Sequence, residues 1–168
     1  DVLATGSEII MVNVHVPFIQ RYTSAGSWLW TNASGLGTIS HAPGARELED
    51  GSILLAGNTG EPVAQSFRAL CKRVSATGAS ICANAVGPTG FVSAWVVLPS
   101  DPDHSVIIGD QDGPYDVFLT QVINASCDEV WTKVYSGFRL TDALFDSTQS
   151  TYTVLGKRTS GGNLIGKF

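Results

Sequence analysis

Short β-prone runs separated by Gly, Pro and Asp dominate this sequence, and helical periodicity is nearly absent. Val12, Val14 and Val16 alternate along one face of an extended segment, which is the period of a half-buried strand. Residues 90–98 form the most apolar run and end at a proline, so we expect a central strand there. The pattern predicts one all-β domain that covers residues 1–168.

The spacing of these runs predicts about eight strands in an antiparallel sandwich. One or two short helical turns are expected in the connections, with Thr59 as N-cap of a helix near residues 60–66. We detect no internal repeat. Residues 38–60 and 99–114 are rich in Gly, Pro and acidic side chains and are expected to be long connections. Strands are expected at residues 8–16, 27–31, 67–77, 90–98, 115–123, 129–135 and 149–155, with a last one from residue 163.

Charge and cysteine content restrict the partners. Ten basic residues face 15 acidic ones, a net charge of -5, whereas phosphate binding is driven by Lys and Arg. No apolar run approaches the length of a membrane span, so no membrane partner is expected. The three cysteines, Cys71, Cys82 and Cys127, share no metal-binding spacing. We expect buried free thiols in a reducing compartment.

One segment resembles a known family. Residues 65–78 contain an aromatic–Arg pair, Phe67-Arg68, followed by a strand that ends in Thr-Gly, and a second strand opens at Gly90. This order is similar to a recurring stretch in the coat proteins of small icosahedral RNA viruses, the tombusvirus-like and nodavirus-like group, and the chain length suits a satellite virus.

The resemblance implies an eight-stranded jelly roll that self-assembles into an icosahedral shell around the RNA genome. Such a subunit needs no catalytic group and no cofactor, and it is located in the virion after assembly in the host cytoplasm. RNA would be held mainly by a basic N-terminal arm that is not in these residues. The family's last strand normally continues beyond the position of Phe168, so the chain is expected to stop early.

Five aspartates between two predicted strands suit calcium, which takes six to eight oxygen ligands from flexible loops. Related coat proteins often bind Ca²⁺ between subunits. The spacing is not that of an EF-hand, because Gln121 stands where the last Glu is expected. The alternative is that Asp-Pro-Asp and Asp-Gly form solvated turns. The candidate ligands are Asp101, Asp103, Asp110, Asp112 and Asp116.

Basic and aromatic side chains give two further candidate sets. Arg68, Lys72 and Arg73 are candidates for contact with packaged RNA on the inner surface, although ordinary solvation explains them as well. The tryptophans suit the stacking of bases or sugars, but aromatic residues in strands are more often core or interface anchors. The tryptophans are Trp28, Trp30, Trp95 and Trp131.

Two other functions stay open. A secreted β-sandwich that binds carbohydrate or protein would use the aromatic residues and the Asp-rich loops, and two N-x-S/T sequons begin at Asn32 and Asn124. A chymotrypsin-like viral serine protease would use Ser160 with His41 and Asp101, in the required chain order. The short remainder of the chain after Ser160 opposes the protease.

Overall fold

The computed structural model describes residues 2–11, 14–33, 39–61, 66–111, 116–158 and 160–168. These residues form an antiparallel all-β structure without helices. No helix able to cross a membrane occurs among them. The all-β prediction is therefore confirmed, but the described residues contain fourteen strands rather than eight.

The strands follow one another in four antiparallel groups, which we call meanders 1 to 4. A single parallel bridge between His15 and Ile39 joins meander 1 to meander 2. Meander 1 is β1 (Val2–Met11), β2 (Val14–Tyr22) and β3 (Trp28–Ala33); meander 2 is β4 (Ile39–Glu47), β5 (Ile53–Glu61), β6 (Ser66–Val74) and β7 (Ser80–Gly90); meander 3 is β8 (Val92–Pro99), β9 (His104–Gln111), β10 (Asp116–Ile123) and β11 (Glu129–Ser136); meander 4 is β12 (Phe138–Asp146), β13 (Thr151–Arg158) and β14 (Asn163–Lys167).

The strand order does not confirm the jelly-roll prediction. A jelly roll contains two Greek keys, in which strands distant in sequence lie side by side. In the described chain every antiparallel pair joins strands that are consecutive in sequence. β9 lies between β8 and β10, so the two runs predicted at 90–98 and 115–123 are strands but do not pair with each other.

Two predicted connections are strands as well. Residues 38–60 contain β4 and most of β5, and residues 99–114 contain β9. Thr59 lies inside β5 and does not cap a helix, and residues 62–65 of the predicted helix lie outside the described part of the chain. Among the residues that suggested loops, Gly44 lies at a bulge of β4 and Asp110 lies near the end of β9, and such positions tolerate them.

A five-residue turn recurs between the strands. In each copy the backbone N–H of the first residue donates to the carbonyl of the fifth. The fourth residue is a glycine, and its N–H donates to the carbonyl of the first. The glycines have positive φ angles of 75° to 91°, as in a type I turn closed by a left-handed residue. No repeat was predicted from the sequence, but this turn recurs in the structure. The copies are at residues 23–27, 48–52, 75–79 and 158–162.

The core lies between successive meanders, in three separate clusters. The first, between meanders 1 and 2, contains Ile19, Ala42, Ile53, Leu55 and Val74. The second, between meanders 2 and 3, includes Leu54, Ala56, Cys71, Ile107, Phe118 and Val122. The third, between meanders 3 and 4, includes Val106, Ile108, Val117, Leu119, Phe138, Leu140 and Val154.

Neighbouring residues of the central strands therefore face different clusters. Leu54 faces meander 3 and Leu55 faces meander 1. On β9, Ile107 faces meander 2 and Ile108 faces meander 4. A strand that is buried on both faces has a continuous apolar sequence, which is why the runs in β5, β9 and β10 lack alternation. Apolar clusters lie between successive meanders, as between the sheets of a sandwich, but there are three such clusters along the described chain rather than one.

Candidate functional site

An open cleft of about 670 Å³ lies where meanders 2, 3 and 4 meet. Its lining comes from the ends of β5, β6, β8, β9 and β12 and from Phe91, the residue between β7 and β8. A smaller cavity of about 230 Å³ adjoins it and shares Trp95, Asp110 and Arg139. The main cleft is lined by Asn58, Phe67, Phe91, Val92, Ser93, Trp95, Asp110 and Arg139.

Asp110 is the central polar group of the cleft. Its Oδ1 accepts a hydrogen bond of 2.8 Å from the backbone N–H of Leu140, and its carboxylate also accepts one from the Trp95 side chain. Partial burial raises the pKa of this carboxyl, while these bonds and the charge of Arg139 act in the opposite direction. The carboxylate is thus held in place by β8 and β12, with Arg139 beside it.

Aromatic rings form the apolar part of the lining. Trp95 lies at the bulge of β8 between Ala94 and Val96, and it is 44% exposed. The ring of Phe91 is also exposed and lies 5.9 Å from that of Phe67, centroid to centroid. Exposed aromatic surface costs free energy in water, and its concentration in a concave site is typical of ligand binding.

The four described aspartates of the predicted calcium site are divided between the two ends of β9. Asp101 and Asp103 lie in the exposed turn before it, whereas Asp110 and Asp116 flank its far end. Eight residues of strand separate the ends by about 25 Å. Asp112 lies outside the described residues. No cluster of three or more metal-ligating side chains occurs in the part of the chain that the structure describes.

The predicted RNA-binding side chains do not share a surface. Arg68 donates to the carbonyl of Gly87 and pairs with Glu129, and Arg73 bonds to Ser52, Asn124 and Asp50. Lys72 is 2% exposed. These contacts join meander 2 to its neighbours. All three residues therefore have structural contacts within the chain, and their contact with RNA stays a prediction.

Lys72 points into the interface with meander 1, where its Nζ donates to Asn32 Oδ1 at 2.5 Å. Burial lowers its pKa to about 8. Between about pH 8 and 10.5 the unfolded chain therefore binds more protons than the folded chain, so folding stability should rise with pH through that window.

We expect Lys72→Met to increase the free energy of unfolding at pH 7 by about 2 kcal/mol, because a buried ammonium is replaced by an apolar chain of similar length. The rise in stability above pH 8 should shrink in the variant. Urea denaturation at pH 7, 9 and 10 measures both effects. The exposed Lys157→Met is the matched control, and parallel pH profiles for Lys72→Met and wild type would contradict the assignment.

The tryptophans have different environments. Trp95 lies in the cleft, while Trp30 packs on the first core cluster and its indole donates to the carbonyl of Ala76. Trp131 packs on the third cluster with Lys133 over its ring. Trp28 is exposed at the other end of the stack. Of the four, Trp95 is the one that lines the cleft with Asp110 and Arg139.

The protease triad is not formed. Tyr152, near the start of β13, donates to the carbonyl of Pro99, two residues before Asp101. Ser160 lies beyond the other end of β13, in an exposed turn. Six residues of strand separate Tyr152 from Arg158, about 20 Å, so Asp101 and Ser160 belong to opposite ends of the sheet.

Two cysteines are bonded, which corrects the prediction of three free thiols. Cys82 on β7 and Cys127 in the turn between β10 and β11 form a disulfide that joins meanders 2 and 3. Cys71 is free and buried, and burial raises the pKa of its thiol to about 12. Disulfides persist in oxidising compartments.

Both sequon asparagines have structural partners. Asn32 Nδ2 donates to the carbonyl of Gly78, and its Oδ1 accepts from Lys72. Asn124 is buried, donates to the carbonyl of Pro102 and accepts from Ser105. A glycan on either amide would disrupt these bonds.

Sequence analysis identified Trp95 and Asp110 individually but missed Asn58, Phe91 and Arg139. The available signal was a repeated Gly-polar pair at the end of an apolar run, Gly57-Asn58 and Gly109-Asp110. Both polar residues line the cleft. No protein-family model matches the chain, and no curated protein matches it at a significant level.

Proposed function

We propose that this chain is a carbohydrate-binding module of an oxidising, extracytoplasmic environment and that the cleft around Trp95 holds the sugar. The observation that carries the proposal is the combination, in one open cleft, of exposed aromatic rings with a fixed carboxylate and a guanidinium. The disulfide between Cys82 and Cys127 supports the compartment.

The chemistry of the lining suits a saccharide. A pyranose ring presents C–H groups on its faces, and these match the electron-rich faces of Trp95 and Phe91. Its hydroxyl groups lie at the ring edges, where Asp110 accepts hydrogen bonds and Arg139 donates them. Since Asp110 is already held by Leu140 and Trp95, part of the ordering cost of binding is met before the ligand arrives.

The repeated meanders support a scaffold of the β-propeller type. Propellers are built from four-stranded sheets arranged around a central channel. Meanders 2 and 3 each have four strands, and each packs on the next through a buried apolar cluster. We propose that the chain is an open arc of such sheets.

A glycan array with the purified chain, followed by calorimetric titration of the best ligand, tests this function. We expect Trp95→Ala to weaken binding at least tenfold, about 1.4 kcal/mol, because the stacking face is lost. Val130→Ala removes an exposed apolar side chain outside the cleft and is the control. Absence of any glycan ligand, or equal affinity of the Trp95→Ala variant and wild type, would overturn the proposal.

A viral coat protein is the second candidate function. The resemblance at residues 65–98 still supports it, and the exposed Leu144 and Ile165 on meander 4 suit self-association. The strand order removes the jelly-roll argument on which it also depended. Electron microscopy of the purified protein tests the proposal: uniform closed particles would support it, and their absence under all assembly conditions would oppose it.

A further inference from the structure

The outer face of meander 4 has an exposed row of aliphatic side chains. Ile165 is 68% exposed and Leu144 is 58% exposed. Leu155 pairs with Ile165 in the strand register, and Thr153 pairs with Leu144. We call Leu144, Leu155 and Ile165 the aliphatic row. One residue of the row lies on each of the three strands, so the row crosses the sheet.

The structural repeat indicates what the aliphatic row contacts. Gly156 of β13 corresponds to Gly109 of β9, because each lies opposite the bulge of the preceding strand. Counting from these glycines, Leu144 corresponds to Leu98 of meander 3 and Leu155 corresponds to Ile108. Ile165 corresponds to Leu119 in the same way. Those three pack in the cluster between meanders 3 and 4. The aliphatic row therefore occupies the positions that meander 3 uses to bind the next sheet.

The opposite end of the stack has a complementary face. The pairing of Gln20 with Thr31 and of Tyr22 with Trp28, together with the bond from the Trp28 indole to Thr31, places these residues on the side of meander 1 away from the core. Phe18 lies on the same side. We call Phe18, Tyr22 and Trp28 the aromatic face.

The aromatic face also corresponds to a buried surface elsewhere in the repeat. The turns at residues 23–27 and 75–79 align Phe18 with Leu70 and Tyr22 with Val74. Leu70 and Val74 are fully buried, and Val74 contacts the cluster shared with the preceding meander. Phe18 and Tyr22 of meander 1 therefore occupy the positions whose equivalents in meander 2 face meander 1.

We propose that a second copy of this chain covers the aliphatic row with its aromatic face. The contact continues the stacking that joins meanders 3 and 4, so the two copies associate head to tail. Such a contact is heterologous, and a second identical contact closes two copies into a ring if the rotation allows it. Each contact removes aliphatic and aromatic surface from water, which is the main driving force for association.

Light scattering coupled to size-exclusion chromatography tests the dimer. We expect wild type to have twice the 17.7 kDa mass of one chain at high concentration. Ile165→Glu should weaken association at least tenfold while the circular dichroism spectrum stays unchanged. Val130→Glu changes a residue that is 48% exposed on β11, outside the aliphatic row, and should associate like wild type. A wild-type chain that stays monomeric at its solubility limit would overturn the proposal.

Mixing two variants tests the head-to-tail geometry. Ile165→Glu keeps the aromatic face, and Trp28→Glu keeps the aliphatic row, so each should be monomeric alone and the mixture should form a heterodimer through one intact contact. A Trp28→Glu variant that still dimerises alone would show that two aliphatic rows pack on each other and would exclude the head-to-tail arrangement. These outcomes do not depend on a glycan ligand.

Discussion

Loss of the Cys82–Cys127 disulfide is expected to lower the free energy of unfolding by about 4 kcal/mol. The bond joins residues that are 45 apart in sequence, and closing a loop of that length restricts the unfolded chain by about this amount. It also ties the outer strand of meander 2 to the hairpin turn of meander 3. The Cys82→Ser/Cys127→Ser double variant, measured by urea denaturation against wild type, gives the value directly.

Reductant provides the control for this experiment. Wild type in dithiothreitol should unfold at the same urea concentration as the double variant, and the double variant should not respond to dithiothreitol. In the folded protein Cys71 stays protonated, because burial raises the pKa of its thiol to about 12. Identical unfolding midpoints for wild type with and without reductant would contradict the assignment of the bond.

We expect Gly109→Ala to destabilise the protein by about 3 kcal/mol or more. A Cβ atom at this position would overlap the carbonyl oxygen of Ser93 and would lie 2.7 Å from both Ala94 Cα and the Phe118 ring. The first two neighbours are backbone of the paired strand, so relief requires a shift of β8 against β9. Thermal and urea unfolding followed by circular dichroism measure the loss.

Two other glycines provide controls for the Gly109 prediction. Gly156→Ala should be similarly destabilising, since its Cβ would lie 2.5 Å from the Arg139 carbonyl oxygen at the corresponding place in meander 4. Gly26→Ala meets no atom within 4 Å but has a φ of +81°, so it should cost only about 1 kcal/mol. If Gly109→Ala were no worse than Gly26→Ala, the close approach of β8 and β9 would be disproved.

The β class and most strand positions were predictable from the sequence. The runs at residues 67–77, 115–123 and 129–135 correspond to β6, β10 and β11, because turn residues bound each of them and no helical period competes. Strands β5 and β9 were missed for a physical reason. Glycine at a close contact, as at Gly109, and acidic residues at strand ends, as at Asp110, are locally indistinguishable from loop residues.

The pairing of strands and the cleft could not be predicted by examining runs one at a time. A continuous apolar run such as Val106–Ile108 indicates burial on both faces but does not identify its neighbours. The repeat identifies them, and its signal was the five-residue turn with glycine in fourth place. Arg139 and Asp110 are 29 positions apart, and only the stacking of meander 4 on meander 3 brings them together.

Cross-strand nuclear Overhauser effects around Ile107 test the central claim most directly, since the cleft and both docking faces depend on consecutive strands pairing. We predict that backbone protons of Ile107 contact those of Val97 on one side and of Thr120 on the other. Contacts that place Val97 directly beside Thr120, with Ile107 remote from both, would contradict the meander arrangement and everything derived from it.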